Sequence, residues 1–243
     1  AALPSNHDGQ DWSLMTYRSD PGHVIVFEGD EFNQPQTYMQ DDIAALQYLY
    51  GANFTTNATD SVYTFSATTG KMFINGVSQG DPDGSKVFRT IWDGNGSDTY
   101  DFSNFTGNES VDLRAGGWST FNAAQLANNR AYTGGAVYAP GNIANALMYK
   151  GDTRSLIENA IGGSGNDYMV GNQLDNHLTG NGGDDWRDGG PGHDTRAGGP
   201  GKDNYVIESA SEFRVENACL ERHNSMTAPA FTLCARLHAP TLS

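Results

Sequence analysis

Five consecutive nine-residue segments run from position 162 to 206, each opening on glycine: GGSGNDYMV, GNQLDNHLT, GNGGDDWRD, GGPGHDTRA and GGPGKDNYV. A period of nine held without an insertion follows the template G-G-x-G-x-D-x-U-x, where U is large and apolar, and predicts a parallel β-helical coil, or β-roll. Glycine at positions one, two and four permits positive φ and close approach of carbonyls. The aspartate at position six adds a hard carboxylate oxygen, and calcium takes about six to eight such oxygens. Positions seven to nine form a short strand whose central side chain points into a narrow core.

Two nine-residue repeats complete one turn, so each repeat should lie over the one 18 residues later, with an ion between their turns. That stacks Asp167 on Asp185, Asp185 on Asp203 and Asn176 on Asp194. Candidate carbonyl donors are Gly163, Gly165, Gly183, Gly190, Gly192, Gly199 and Gly201. Stacked carboxylates repel, so folding and calcium binding are expected to be linked. The U positions are Met169, Leu178, Arg187, Arg196 and Tyr205. The two arginines place charge where the core belongs. They are expected to snorkel outward from loosely packed turns, leaving the Asp167 and Asp185 site the soundest and those near Arg187 and Arg196 compromised. The competing reading, a glycine-rich linker, predicts Gly and Asp in irregular order without strand residues.

The formal charge of -15, with only 14 basic residues, opposes phosphate backbones and anionic lipid, so nucleic acid is not an expected partner. Much of this acidity falls in glycine-rich turns, where cations can neutralise it. No apolar run reaches the length of a membrane span. The chain opens on Ala rather than Met, which points to processing or a fragment. The only cysteines, Cys219 and Cys234, lie near the end, so the body of the fold cannot depend on disulfides.

Upstream, DDIAALQYLY at 41–50 sets Ile43, Leu46, Leu49 and Tyr50 on one helical face, with two aspartates at the positive end of the dipole and Gly51 as the stop. From 54 to 150 short β-rich runs such as VYTF at 62–65 alternate with Gly, Asn and Asp clusters, a sandwich-like pattern. The expected class is mainly β: a β-roll joined to a β-sandwich (54–207), preceded by a short helical segment (1–53) and followed by a poorly ordered tail (208–243).

Several motifs occur in one order: Ser13-Leu14-Met15-Thr16-Tyr17, the helix at 41–47 followed by Leu49-Tyr50-Gly51-Ala52-Asn53, Trp92-Asp93, Asp98-Thr99-Tyr100-Asp101-Phe102, and Ile157-Glu158-Asn159-Ala160-Ile161-Gly162-Gly163. Together they resemble the C-terminal part of the serralysin-type secreted bacterial metalloproteases, a metzincin branch carrying RTX repeats. The resemblance implies that Met15 and Tyr17 belong to a Met-turn beneath a zinc ion, and that residues 1–53 are a remnant of the catalytic domain. It also implies that Asp93, Asp98 and Glu158 carry further calcium sites; a hairpin turn capped by aspartates is the plainer reading of Asp93 and Asp98. Extracellular localisation by type I export follows from the same resemblance, although residues 208–243 show neither the family's further β pattern nor its apolar end.

Zinc proteases of this class need H-E-x-x-H, two imidazoles on one helix face and a carboxylate to activate water. The six histidines here (7, 23, 177, 193, 223, 238) form no such motif. His7 ahead of the Met-turn reads as a surface-loop residue. The zinc implied by the resemblance therefore lacks its ligands, and the chain is expected to be a calcium-binding region without proteolytic activity of its own. Protein substrate enters only if a catalytic segment completes it. The rival readings are a working metalloendopeptidase whose H-E-x-x-H segment lies elsewhere, and a structural or adhesive calcium module.

Overall fold

Nine residues per repeat leave room for only three between one glycine turn and the next, and three-residue strands accordingly dominate. The computed structural model describes residues 3–16, 18, 21, 31–130, 136–206, 213–215 and 224–226. Its strands are β1 Val62–Phe65, β2 Met72–Ile74, β3 Val77–Ser78, β4 Arg89–Ile91, β5 Thr99–Asp101, β6 Ser110–Asp112, β7 Trp118–Ser119, β8 Ile143–Asn145 and β9 Asn159–Ile161. The repeats supply β10 Tyr168–Val170, β11 His177–Thr179, β12 Trp186–Asp188, β13 Thr195–Ala197 and β14 Asn204–Val206, and two more follow as β15 Phe213–Val215 and β16 Asn224–Met226.

Successive repeat strands alternate between two sheets. One runs β15-β13-β11-β9-β5-β1-β2-β3 and the other β16-β14-β12-β10-β6, while β4, β8 and β7 form a third. Within the repeats all pairing is parallel at an offset of 18, as in Tyr168 with Trp186 and His177 with Thr195. Two strands lie beyond the last nonapeptide, β15 on β13 and β16 on β14; the rest of the tail expected at 208–243 lies outside the described residues. Cys219 and Cys234 lie outside the described residues.

The parallel stacking also reaches back past the repeats. β9 pairs parallel with β5, β5 with β1, and β10 with β6. The region expected as a sandwich joined to the roll thus contributes rungs to both repeat sheets, because its short strands share the in-out alternation of the nonapeptides. In each rung the central strand residue is buried: Tyr63, Tyr100, Val111, Ala160, Met169, Leu178 and Tyr205 are at most 1% exposed. Each large apolar side chain so placed contributes about 1.5–3 kcal/mol. An aromatic group of Phe65, Phe102, Phe105 and Phe121 widens this core beside the first rungs.

Two expectations are overturned. Arg187 and Arg196 do not snorkel outward; they are 0% and 1% exposed and point into the coil like their neighbours at position eight. The helix, α1 Gln40–Tyr50, forms as the sequence predicts and ends where Gly51 donates to the Gln47 carbonyl, but it buries the other face. Leu46, Leu49 and Tyr50 are exposed, whereas Gln40, Asp42 and Gln47 are buried. The polar face goes inward because it meets polar backbone. Gln40 Nε2 donates to the Gly116 and Asn145 carbonyls, and Asp42 accepts from Ser13 Oγ, Leu14 N–H and Met39 N–H.

Candidate metal centre

A ladder of side chains stands immediately ahead of the strands. Asp167, Asp185 and Asp203 precede β10, β12 and β14, while Asn176 and Asp194 precede β11 and β13. Each aspartate accepts a hydrogen bond from the backbone of the preceding rung, whereas Asn176 Oδ1 accepts from Asn172 N–H of its own repeat. Asp167 N–H donates to Asp185 Oδ1 at 2.9 Å, Asp185 N–H to Asp203 Oδ1 at 3.1 Å, and Asn176 N–H to Asp194 Oδ1 at 2.9 Å. The three pairings drawn from the repeat length are therefore brought together.

Glycine at position one of every repeat is explained by this ladder rather than by φ. A Cβ on Gly162, Gly171, Gly180, Gly189 or Gly198 would collide with the position-six side chain of its own repeat. Within the five repeats positive φ occurs only in the last three, at Asn181, Gly183, Gly190, Gly192, Gly199 and Gly201. Gly163 and Gly165 do not need it, which corrects the sequence-based reason for those two. The turns nonetheless stack closely. A Cβ on Gly183 would strike the Gly165 carbonyl, and one on Gly201 the Gly183 carbonyl, so backbone oxygens line the space between rungs.

The same ladder continues through Asp98 and Glu158, which precede β5 and β9. Asp98 N–H donates to Glu158 Oε2 at 2.7 Å, and Ser61 N–H donates to Asp98 Oδ1 at 2.8 Å. Asp93 sits beside them, accepting from Tyr63 Oη at 2.6 Å and from Asn95 N–H. Burial pushes the Asp98 carboxyl up to about 8, with the charges of Asp93 and Glu158 adding to the effect. Burial likewise raises Glu158 to about 7 and Asp185 to about 7, and it raises Asp93 and Asp167.

Sequence reasoning missed Glu109. It precedes β6, is 2% exposed, and its N–H donates to Asp167 Oδ1 at 2.8 Å. The available signal was an acid directly before a three-residue strand, as Glu158 stands before β9. Burial pushes its carboxyl up to about 9, helped by the adjacent Asp167.

These residues suit an oxygen-seeking cation. Asp98 Oδ2, Glu109 Oε1 and Asp203 Oδ2 are buried acceptors without a hydrogen bond among the described residues. Among the described residues no three His, Cys, Asp or Glu side chains converge on one point; the carboxylates come as stacked pairs, so calcium would draw its remaining ligands from turn carbonyls. The rungs of β12 and β14 in the five-stranded sheet already hold a cation. Arg187 Nη1 lies 3.1 Å from Asp185 Oδ2 and its Nη2 3.2 Å from Asp203 Oδ1.

Of the Met-turn residues, Met15 is 81% exposed and Tyr17 lies outside the described residues. His7 stacks on Trp12 at 3.9 Å and bonds Asp41 through Nδ1 at 3.0 Å.

The family model described as the serralysin C terminal of peptidase M10 matches residues 52–220. The chain belongs to this family. The match covers the ladder and the repeats and begins just past α1. Among similar proteins, metalloprotease AprA of Pseudomonas entomophila is 37% identical over 69% of this chain, serralysin of Proteus mirabilis 36% over 69%, and serralysin C of Dickeya chrysanthemi 38% over 67%. The aligned segment makes up 30% of the first relative and 28% of the other two. Like the family it joins, the chain is mainly β, and none of its described helices is long and apolar enough to cross a membrane.

Proposed function

We propose that this chain is the calcium-binding C-terminal region of a serralysin-like extracellular zinc metalloendopeptidase, an RTX β-roll that folds on calcium and accompanies export of the protease. The carboxylate ladder carries this reading. Asp167, Asp185 and Asp203 lie buried one above another at an 18-residue interval, Asp167 bonded to Asp185 and Asp185 to Asp203. Burying stacked carboxylates is costly unless cations neutralise them. Asp93, Asp98 and Glu158 form a second acidic group beside β5 and β9, in the middle of the other sheet, and support a site outside the nonapeptides. Calcium fits both, since every candidate donor is an oxygen.

Titration of the metal-free chain with calcium chloride, followed by calorimetry and far-ultraviolet dichroism, is the test. Several ions bound with a gain of β signal are expected. No binding heat, together with a spectrum indifferent to chelator, would defeat the proposal.

A second reading, that this region completes a working protease whose H-E-x-x-H segment lies elsewhere, draws support from α1. Its exposed Leu46, Tyr48, Leu49 and Tyr50 present apolar surface of the kind another segment covers. Casein hydrolysis on adding a segment that carries the motif checks this, and continued inactivity of the mixture counts against it.

A further inference from the structure

Residues 104–112, NFTGNESVD, do not read as a repeat. Phe105 stands where glycine belongs and Glu109 where aspartate does, and 49 residues (113–161) separate the segment from the first nonapeptide. In space it is nevertheless a rung. Ser110 pairs with Tyr168 in parallel register. Asn166 N–H donates to Asn108 Oδ1 at 2.9 Å, as Asp184 N–H donates to Asn166 Oδ1 at 2.8 Å one rung further on. Glu109 N–H donates to Asp167 Oδ1, as Asp167 N–H donates to Asp185 Oδ1. Val111 fills the core position. Glu109 therefore occupies position six of an unrecognised repeat.

Its surroundings are those of a binding site. Glu109 Oε2 accepts from Gly163 N–H at 2.9 Å, and the same N–H reaches Asp167 Oδ2 at 3.0 Å. Two carboxylates, each 2% exposed, thus share one amide donor. Glu109 Oε1 is buried and finds no hydrogen-bond donor among the described residues, an expensive state for a carboxylate oxygen. Backbone oxygens are close by. A Cβ on Gly163 would strike the Phe105 carbonyl and one on Gly165 the Gly107 carbonyl. Among the described residues no basic side chain is bonded to Glu109, in contrast to the Asp185 and Asp203 pair with Arg187.

We propose that Glu109 and Asp167, with the carbonyl oxygens of Phe105 and Gly107, hold a further calcium ion at the seam between rung 104–112 and the first nonapeptide. This rests on the calcium reading of the ladder and extends it to a residue outside the repeat. The ion ties together two carboxylates 58 positions apart (167 minus 109), so it closes the long excursion between β6 and β10 and joins the repeats to the strands before them.

The test compares calcium titrations of the whole metal-free chain with those of Glu109→Gln and Glu109→Asp. Glu109→Gln should bind one ion fewer while the remaining sites keep their midpoints, and Glu109→Asp should keep the count but weaken one site. A wild-type chain that binds no calcium defeats the parent reading and this one together. A wild type that binds calcium and a Glu109→Gln variant that matches it in count and midpoints defeats this inference alone. Should the variants fail to fold, an anomalous map from terbium-soaked crystals of the wild type decides: a peak against the Glu109 carboxylate supports the site, and empty density there overturns it.

Discussion

The guanidinium of Arg187 is fully buried between Asp185 and Asp203, 3.1 Å from one and 3.2 Å from the other, with its carbon 4.7 Å above the Tyr205 ring. An arginine at a core position thus neutralises two ladder carboxylates from inside the coil, where calcium would act from the turn. Removing one partner of a buried ion pair costs about 3–5 kcal/mol. Arg187→Leu restores the apolar residue of the repeat template and leaves both aspartates uncompensated. Its metal-free form is expected to lose stability on that scale, and its calcium-saturated form much less. Thermal melts in chelator and in excess calcium measure both. Equal losses in the two conditions would mean that arginine and calcium do not serve the same charges.

Gly180 and Gly182 separate two roles of glycine in one turn. A Cβ on Gly180 would collide with Asp185 Oδ2 and Arg187 Nη1, whereas the nearest atom to one on Gly182 is 3.8 Å away and its φ is ordinary. Gly180→Ala should cost about 1–3 kcal/mol through forced displacement of the ion pair. Gly182→Ala should be neutral, or stabilising by up to about 1 kcal/mol through the unfolded chain. Denaturant midpoints in saturating calcium check the contrast, and similar values for the two variants would contradict it.

The fixed period made the repeats, their strands and their 18-residue stacking legible in the sequence. It could not show the rungs ahead of residue 162, because insertions break the spacing between Ser61, Asp98, Glu109 and Glu158 while the strands behind them still stack. Nor could hydrophobicity place Arg187. Periodicity points position eight inward, but whether a charge can stay there depends on carboxylates from the same rung and from the one 18 residues on. The helix failed for a related reason. An apolar stripe on α1 predicts burial of that stripe, yet Gln40 and Asp42 face backbone groups that only the tertiary fold supplies, and a buried polar group must be paired.

Met169 tests the packing independently of any ion. It is 0% exposed at the centre of β10, between Val111 and Arg187 in register. Met169→Ala should cost about 2–5 kcal/mol in calcium and in chelator alike. Tyr168 next to it is half exposed and stacks on Trp186 at 4.2 Å, so Tyr168→Ala should cost about 0.5–1.5 kcal/mol. Chemical denaturation orders the two, and a larger loss at Tyr168 would place the core on the wrong face of the strand.

The ladder also sets the response to pH. Without calcium, burial raises Glu109 from 4.5 to about 9, Asp98 from 3.8 to about 8 and Asp185 from 3.8 to about 7. A carboxyl whose folded value lies above its unfolded one binds more protons when folded, so its contribution is fully present below the unfolded value and is lost as pH rises through the folded one. The metal-free chain should therefore be more stable near pH 5 than near pH 8, the reverse of a protein held by salt-bridged carboxylates. Calcium must displace those protons, so its affinity should climb over the same interval and the gap between loaded and metal-free melting temperatures should widen. Melting curves at both pH values, with and without calcium, read the sign directly. A metal-free chain that gains stability between pH 5 and 8 would show that the ladder carboxylates are ionised in the fold and that some other group compensates them.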